Sequence, residues 1–474
     1  MLPEEASEKS SKDASKSLDD DFLISLKTCL PSERLLLDTA DCWAYGFDNS
    51  RKHTLPQAVT LPLTHDDIVA ITTLCNRYKI PLTVRGRGTG TTGGSVPVQG
   101  GVVMSMEQMN QIIEIDVSNR LMRVEPGVTN QAVQDCAAEN GFFWAPDPGS
   151  ASVCTVGGNL GFNAAGPRAV KYATTRENTL GLIAVTAEGD TLHTGVKTTK
   201  GVTGYDLTRL LIGSEGTLAI VTEATLKLLP LPQSRRTLTA CYNSIQGATD
   251  AIVAIMNQSL IPSALEFLDQ ASIKLVKNQP GIHVPDAAAA LLLIEVDGLE
   301  TEMPNAIKQV SNAACNSSLL EIHHSDSAND AKKTWATRKA LSPVLRKIAP
   351  NKLNEDVVVP VASIPALLQG LQRLSEKYGI PIVNFGHAGN GNIHVNLLYD
   401  TQNVEQSAQA MPCLSAVFEL VLGLGGTLSG EHGIGTEKKD YIALEIDQVS
   451  LKWMKKLKTL FDPNNILNPG KVFP

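Results

Sequence analysis

The segment PLTVRGRGTGTTGGSVPVQGG, residues 81–101, joins a strand pattern to a glycine-rich loop and says most about the fold. Seven glycines lie between Gly86 and Gly101. Residues 88–93 match the G-x-G-x-x-G pattern of dinucleotide-binding folds, but that fingerprint requires a helix directly after the loop. Pro97 and a β-rich run stand where the helix would begin, so a Rossmann fold is not predicted.

Two more loops rich in small residues follow, at residues 157–166 and 213–217. Each lies at the end of a strand or loop pattern and carries Thr, Ser or Asn beside its glycines. The backbone N–H groups of glycine can approach a pyrophosphate closely, and hydroxyl groups add donors. A flexible surface loop is the alternative for any one of them. Three such loops in one domain indicate a large ligand with a phosphate centre.

The composition is that of a globular protein with room for two large domains in 474 residues. Its net charge of −8 argues against nucleic acid or an anionic membrane as the main partner. The eight cysteines include no Cys-x-x-Cys pair. This excludes the usual zinc-knuckle and ferredoxin spacings and is typical of a reducing cytoplasm. No apolar run reaches the ~18 residues that a transmembrane helix needs.

The pattern along the chain predicts four parts, with the main boundary at LPLPQSRR, residues 229–236. Residues 1–21 are polar, lack the apolar core of a signal peptide and are expected to be disordered. Residues 22–50 form a helical lead-in, and residues 51–231 carry the three glycine loops. Within that part, Thr64 is predicted to cap a helix. Residues 232–474 form an α+β domain.

The segment VNFGHAGNGNIHVNLL, residues 383–398, contains two of the nine histidines. His387 and His394 would point to opposite faces of one straight strand, and the glycines between them disfavour a helix. Turn residues between them would let both imidazoles face one ion, although a packed strand histidine and a loop histidine remain the alternative. Glu431 in SGEHGIG is the candidate third ligand for zinc, manganese or iron. Its neighbour His432 would then point toward a substrate.

Together these motifs resemble FAD-linked oxidases and dehydrogenases of the vanillyl-alcohol-oxidase type. The resemblance covers residues 51–474 and lies in the branch of D-lactate dehydrogenase, D-2-hydroxyglutarate dehydrogenase and the glycolate oxidase flavin subunit. The motifs, in family order, are PLTVRGRGTGTTGG, APDPGSASVCTVGGNLGFNAAGPRAVKYATTRENTLGL, GSEGTLAIVTEATLKL, NFGHAGNGNIHVN, SGEHGIGTEKKDY and FDPNNILNPGKVF. The implied fold is α+β. It has a two-subdomain FAD-binding domain of the PCMH type at 51–231 and an FAD-linked oxidase C-terminal substrate (cap) domain with an antiparallel sheet at 232–474. Residues 450–474 of the latter would return to the flavin.

The resemblance also implies which residues bind FAD. Those expected at the pyrophosphate are Arg85, Gly86, Gly88, Thr89, Gly90 and Thr91. Those expected on the second side are Pro146, Asp147, Gly157, Gly158, Asn159 and Asn163. Those expected at the adenosine or flavin end are Glu215, Gly216, Ile220, Asn468 and Lys471. The first loop lacks the histidine that bonds the flavin in covalent relatives, and Cys154 lies where non-covalent relatives also have cysteine. FAD should therefore be non-covalent and be released by acid denaturation.

By the same resemblance, His387, His394 and Glu431 would bind a divalent metal, and His432 would be the active-site base. Arg338, in a basic helix that also holds Lys333, Lys339, Arg346 and Lys347, falls where relatives bind the substrate carboxylate; Lys352 is a weaker candidate. Asn390 replaces an aspartate that is common in the family.

The reaction implied is oxidation of a D-2-hydroxy acid to the 2-oxo acid, with hydride transfer to flavin N5. D-lactate or glycolate is favoured, and D-2-hydroxyglutarate is next. The chain has no haem or iron–sulfur motif, so an external acceptor is implied: a quinone, a cytochrome, an electron-transfer flavoprotein or an iron–sulfur subunit. A cytoplasmic location is expected, with membrane contact through the acceptor, and a homodimer stays open. The alternatives are a non-catalytic flavin-binding subunit of a larger oxidase and, less favoured, a His/His/Glu metal hydrolase.

Overall fold

The computed structural model describes residues 18–277, 284–325, 327–345 and 348–474. Most of the predicted disordered tail, together with Arg346 and Lys347, lies outside these residues. The chain divides into two compact units. The first comprises the residues up to Ala165, then Thr174–Leu231 and Glu431–Pro474. The second comprises Gly166–Ala173 and Pro232–Gly430.

This division differs from the predicted domain 232–474 at its C-terminal end, because residues after Gly430 are bonded into the first unit. The backbone N–H of Leu82 donates to Ile466 at 2.7 Å, and that of Asn468 donates back to Leu82 at 2.9 Å. Leu82 and Leu467 thus form a parallel bridge. Residues 466–468 are thus bonded to β3, and the return of residues 450–474 to the flavin stays a prediction.

Most of the described helices begin where a side chain caps them. Thr64 accepts from Asp67 N in a full capping box, which confirms the predicted N-cap. The first helix begins at Asp20, inside the predicted tail, because Asp19 accepts from the N–H groups of Asp21 and Phe22. In chain order the helices are α1 Asp20–Cys29, α2 Thr39–Trp43, α3 His65–Tyr78, α4 Asn130–Glu139, α5 Val156–Phe162, α6 Ala169–Tyr172, α7 Leu207–Leu211, α8 Ile245–Met256, α9 Gln270–Val276, α10 Met303–Ala314, α11 Ala328–Lys339, α12 Leu341–Val344, α13 Ile364–Tyr378, α14 Val404–Gly423, α15 Ile442–Glu445 and α16 Gln448–Phe461. Among the described residues, no helix combines the length and the apolar character that crossing a membrane requires.

The strands form two larger sheets in the first unit and one in the second. In chain order they are β1 Leu35–Leu36, β2 Ala58–Thr60, β3 Leu82–Arg85, β4 Val102–Ser105, β5 Ile112–Asp116, β6 Leu121–Val124, β7 Phe142–Phe143, β8 Thr179–Thr186, β9 Thr191–Gly195, β10 Ala219–Lys227, β11 Leu229–Pro230, β12 Ser234–Tyr242, β13 Ala264–Asp269, β14 Ala290–Gly298, β15 Leu319–His324, β16 Asn351–Val358, β17 Ile382–His387 and β18 Asn392–Tyr399.

In the first unit, one sheet has the order β1-β2-β4-β3, in which β2, β4 and β3 run parallel. Because β3 ends at Arg85, the first glycine loop leaves directly from a buried parallel strand. The other sheet is antiparallel in the order β5-β6-β10-β8-β9. Separate apolar cores lie against the two sheets, one around Phe22 and Ile68 and one around the fully buried Trp144.

The second unit is built on one antiparallel sheet of order β15-β12-β14-β13-β17-β18-β16. This confirms the predicted antiparallel sheet of the substrate domain. Leu291, Leu292, Leu293 and Ile294 of β14 are all buried, so this strand is covered on both faces. The strands β13, β17 and β18 are adjacent in this sheet, and they position the histidines considered next.

Candidate flavin and metal sites

The two histidines of HAGNGN lie on a tight hairpin between β17 and β18. The turn contains Ala388–Asn390 and then Gly391 at φ +75°. A Cβ on Gly391 would lie 1.8 Å from the carbonyl oxygen of Val359, so only glycine fits. Phe385 pairs with His394, and His387 lies two residues beyond Phe385 on the same strand face. The turn predicted from the sequence is confirmed.

The hairpin register brings the two imidazoles together. Their ring centroids are 5.1 Å apart, and the rings are nearly perpendicular at 84°. Both side chains are largely shielded, with 11% of the His387 side chain and 8% of His394 exposed. The predicted convergence of these two residues is therefore present in the second unit.

A buried carboxylate from the adjacent strand β13 holds His387. Glu266 accepts from His387 Nδ1 at 2.5 Å and from Arg338 Nε and Nη2 at 2.7 and 2.6 Å. Burial raises the pKa of Glu266, but Arg338, His387 and His394 outweigh it and lower the pKa to about 2. Because Glu266 binds Nδ1, Nε2 is the nitrogen through which His387 can coordinate an ion.

The contact of Glu266 with His387 was not predicted from the sequence, although the sequence pattern around Glu266 indicated a buried partner. It is an acid inside the apolar strand SALEFLD, and a charge in such a strand needs a buried partner. Arg338 is one such partner and is itself only 10% exposed at its side chain. The role of Arg338 as a clamp for a substrate carboxylate stays a prediction, and the structure adds its bond to Glu266.

Glu431 follows Gly430, whose position is fixed by β16. The N–H of Gly430 donates to the backbone oxygen and to Oδ2 of Asp356, both at 2.9 Å. Asp356 is also the partner of His394 in the β16–β18 register. One ligand atom from each of His387, His394 and Glu431 lies within 4.8 Å of the other two. Two imidazoles and a carboxylate at this spacing fit a zinc-type donor set with positions left open.

The three glycine loops of the first unit line one cavity. The predicted FAD ligands among its lining residues are Gly86, Gly157, Gly158, Glu215, Gly216, Ile220 and Asn468. The predicted ligands that are not among its lining residues in the described chain are Arg85, Gly88, Thr89, Gly90, Thr91, Pro146, Asp147, Asn159, Asn163 and Lys471. The convergence of all three loops explains why each is rich in glycine.

The residues around this cavity suit a flavin nucleotide. Gly161 lines the cavity, and a Cβ built on it would meet no atom within 4 Å. Thr91, in the first loop but outside the residues that line this cavity, has a buried hydroxyl with no hydrogen-bond partner within the part of the chain that the structure describes. A phosphate oxygen would satisfy such a group. Backbone N–H groups can bind the phosphates of a dinucleotide, and apolar side chains such as Ile220 can pack against its rings.

Several predicted ligands hold the loops instead of lining the cavity. Arg85 donates to the carbonyl of Phe47, and its guanidinium packs over Gly88. Asn163 accepts from the Thr174 hydroxyl at 2.8 Å and so ties the second loop to the chain after it. Lys471 Nζ donates to the carbonyl of Gly94 in the first loop at 2.8 Å and to Asn468 Oδ1 at 3.0 Å. Burial lowers the pKa of Lys471 to about 7, although Asp48 and Glu215 oppose this change.

Glu215 lines the cavity and also anchors the loop that carries His432. Its two carboxylate oxygens accept from Ile434 N at 2.7 Å and Gly435 N at 2.8 Å. Burial raises the pKa of Glu215, and these two N–H groups oppose the rise. Thr92 Oγ1 donates to the carbonyl of His432 at 3.1 Å. Thr92 of the first glycine loop and Glu215 therefore fix the backbone at His432 and directly after it, a role that the sequence did not reveal.

Comparison with known proteins identifies the class. Residues 56–195 match the family model of the FAD binding domain, and residues 231–472 match that of the FAD-linked oxidase C-terminal domain. The second match covers half of the chain, so the protein belongs to the FAD-linked oxidase family. It is an FAD-dependent oxidoreductase with a PCMH-type FAD-binding fold.

Individual proteins of known name are also similar to this chain. The chain is 37% identical to glycolate oxidase subunit GlcD of Bacillus subtilis over 430 residues, which cover 90% of this chain and 92% of the relative. It is 34% identical to D-lactate dehydrogenase of Anaerostipes hadrus over 426 residues, covering 88% and 89%. The solved structure of p-cresol methylhydroxylase with substrate bound covers 96% of both chains with a TM-score of 0.77 at 18% identity, which shows the fold alone.

Proposed function

We propose that the protein oxidises a 2-hydroxy acid, the D-enantiomer where the acid is chiral, to the corresponding 2-oxo acid, with D-lactate or glycolate preferred to D-2-hydroxyglutarate. The observation that carries the proposal is the grouping of His387, His394 and Glu431 in a chain that also builds a flavin cavity. The names of the relatives, a glycolate oxidase subunit and a D-lactate dehydrogenase, support this substrate class.

The residues of the site have distinct roles in this proposal. His387, His394 and Glu431 would hold a divalent ion, zinc, manganese or iron, beside the substrate. When bound, the ion would lower the pKa of the substrate hydroxyl, and FAD would accept the C2 hydride at N5. His432, the residue after Glu431, removes the hydroxyl proton as general base. Arg338 binds the substrate carboxylate and keeps Glu266 in place.

The flavin is proposed to be bound without a covalent link. Cys154, the candidate for a thioether bond, is 4% exposed. Burial raises the pKa of its thiol, so the reactive thiolate is disfavoured. Electrons would leave through an external acceptor: a quinone, a cytochrome, an electron-transfer flavoprotein or an iron–sulfur subunit. The word "subunit" in the name of the Bacillus relative supports a protein partner.

A substrate panel tests the reaction. Anaerobic mixing with D-lactate or glycolate is expected to bleach the flavin, whereas L-lactate should not. A chelator should suppress the bleaching, and added zinc or manganese should restore it. The absorbance of the oxidised flavin is the measurement. If no D-2-hydroxy acid bleaches the flavin, a non-catalytic flavin-binding subunit becomes the better description, and a colourless protein would favour a metal hydrolase.

Substitution of Glu266 tests the support of the metal ligands. We expect Glu266→Gln to weaken metal binding by about 10- to 100-fold, because glutamine lacks the charge that fixes His387 and Arg338. The measurement is a zinc titration of metal-depleted protein against a competing chelator. Glu295→Gln is the matched control, since Glu295 is a buried acid of β14 that pairs with Arg168. Unchanged zinc affinity in Glu266→Gln would remove Glu266 from the metal site.

A further inference from the structure

The outer face of α16, Gln448–Phe461, holds large apolar side chains in solvent. Val449, Trp453 and Leu460 are 65, 59 and 72% exposed. Their spacing of four and seven residues places them on one side of the helix. The opposite side is anchored by Lys458, whose Nζ donates to the carbonyls of Thr217 at 2.9 Å and Leu467 at 2.8 Å.

The same helix is basic. Between Gln448 and Phe461 there are four lysines and no aspartate or glutamate. Lys452, Lys455 and Lys456 are exposed, and the Nζ of Lys456 lies 4.3 Å from the ring centroid of Trp453. The chain as a whole carries −8, so this face is a local exception to its charge.

The exposed apolar side chains and lysines of α16 together favour a lipid surface over a protein as the binding partner. Lysine is depleted from protein interfaces, and a protein partner would have to bury three of them beside the apolar stripe. In contrast, helices with lysine on one side and Trp or Leu on the other lie in the headgroup region of anionic bilayers. Tryptophan is enriched at that depth, and lysine side chains reach out to the phosphates.

We propose that the outer face of α16 binds an anionic phospholipid surface. Val449, Trp453 and Leu460 enter the headgroup region, while Lys452, Lys455 and Lys456 meet the lipid phosphates. The contact is independent of the oxidation reaction. It would bring the protein to a membrane directly, whatever the acceptor.

Sedimentation of the FAD-loaded protein with vesicles tests this surface. The protein is expected to sediment with phosphatidylcholine–phosphatidylglycerol vesicles at low salt, but not with phosphatidylcholine alone, and to be released by salt. Lys452→Glu with Lys456→Glu should lower the bound fraction at least about tenfold. Trp453→Gln should weaken binding and abolish the vesicle-induced blue shift of tryptophan emission. Flavin absorbance verifies that each variant is folded.

A matched charge reversal elsewhere on the surface tests whether vesicle binding depends on α16 or only on the net charge of the protein. Lys197→Glu with Lys200→Glu makes the same change in an exposed loop between β9 and α7 and should leave vesicle binding intact. An equal loss in both double variants, or no binding of the original protein to anionic vesicles, would overturn the proposal. Self-association that disappears in Trp453→Gln, measured by sedimentation velocity without lipid, would instead assign the face to a second copy of the chain.

Discussion

Replacement of His432 by alanine is expected to leave FAD bound and to slow the reduction of the flavin by the preferred 2-hydroxy acid by about 10²- to 10⁴-fold. The substrate hydroxyl must lose its proton as the C2 hydride leaves, and His432 is the proposed acceptor. The backbone around it is held by Thr92 and Glu215, so the side chain can be removed without releasing the loop. Anaerobic stopped-flow absorbance gives the rate directly.

Two comparisons distinguish the loss of the His432 side chain from a general effect of substitution. His432→Gln should be as slow as the alanine variant, because an amide cannot take the proton. His193→Ala, which removes an exposed histidine of β9, should reduce at the original rate. Rapid bleaching of the flavin in His432→Ala would refute the assignment.

Loss of one metal ligand should have the second large effect. We expect His394→Ala to be purified with FAD but without its metal ion, because two ligands remain where three are needed for tight binding. Flavin reduction should then fall to the level of the chelator-treated original protein. Elemental analysis of the purified protein measures the ion, and stopped-flow absorbance measures the reduction.

Two further variants distinguish the loss of a metal ligand from a disturbance of the hairpin. His394 packs on Phe385, so its loss can disturb the hairpin. Glu431→Gln removes a ligand outside the hairpin and should give the same metal loss. Asn390→Asp restores the common family residue at an exposed position of the turn and should keep the metal. A full complement of metal in both ligand variants would contradict the site.

The features that the sequence revealed depend mostly on local chemistry. The turn between His387 and His394 could be predicted because glycine and asparagine fix it within a few residues. Thr64 could be predicted as a cap for the same reason. The convergence of the three glycine loops on one cavity could be predicted because loops of similar composition were expected to bind the same ligand.

The features that were missed depend on contacts between distant parts of the chain. Glu266 meets His387 only because β13 pairs with β17, and strand order cannot be read from composition. Glu215 meets Ile434 through the return of the chain after residue 430. Net charge averages over the surface, whereas a face such as that of α16 acts within about one Debye length, ~8 Å, so the proposed lipid contact could not be inferred from it.

The bridge between Leu82 and Leu467 has a consequence for how the protein is made. Residues 462–471 leave the ribosome after the entire second unit, yet β3 and the flavin cavity need Asn468 to be complete. A nascent chain that ends near residue 231 therefore carries every glycine loop but only part of the cofactor cradle. We therefore expect flavin to bind late in biosynthesis, and a premature stop after Gly430 would remove both Asn468 of the cavity and His432, the proposed base.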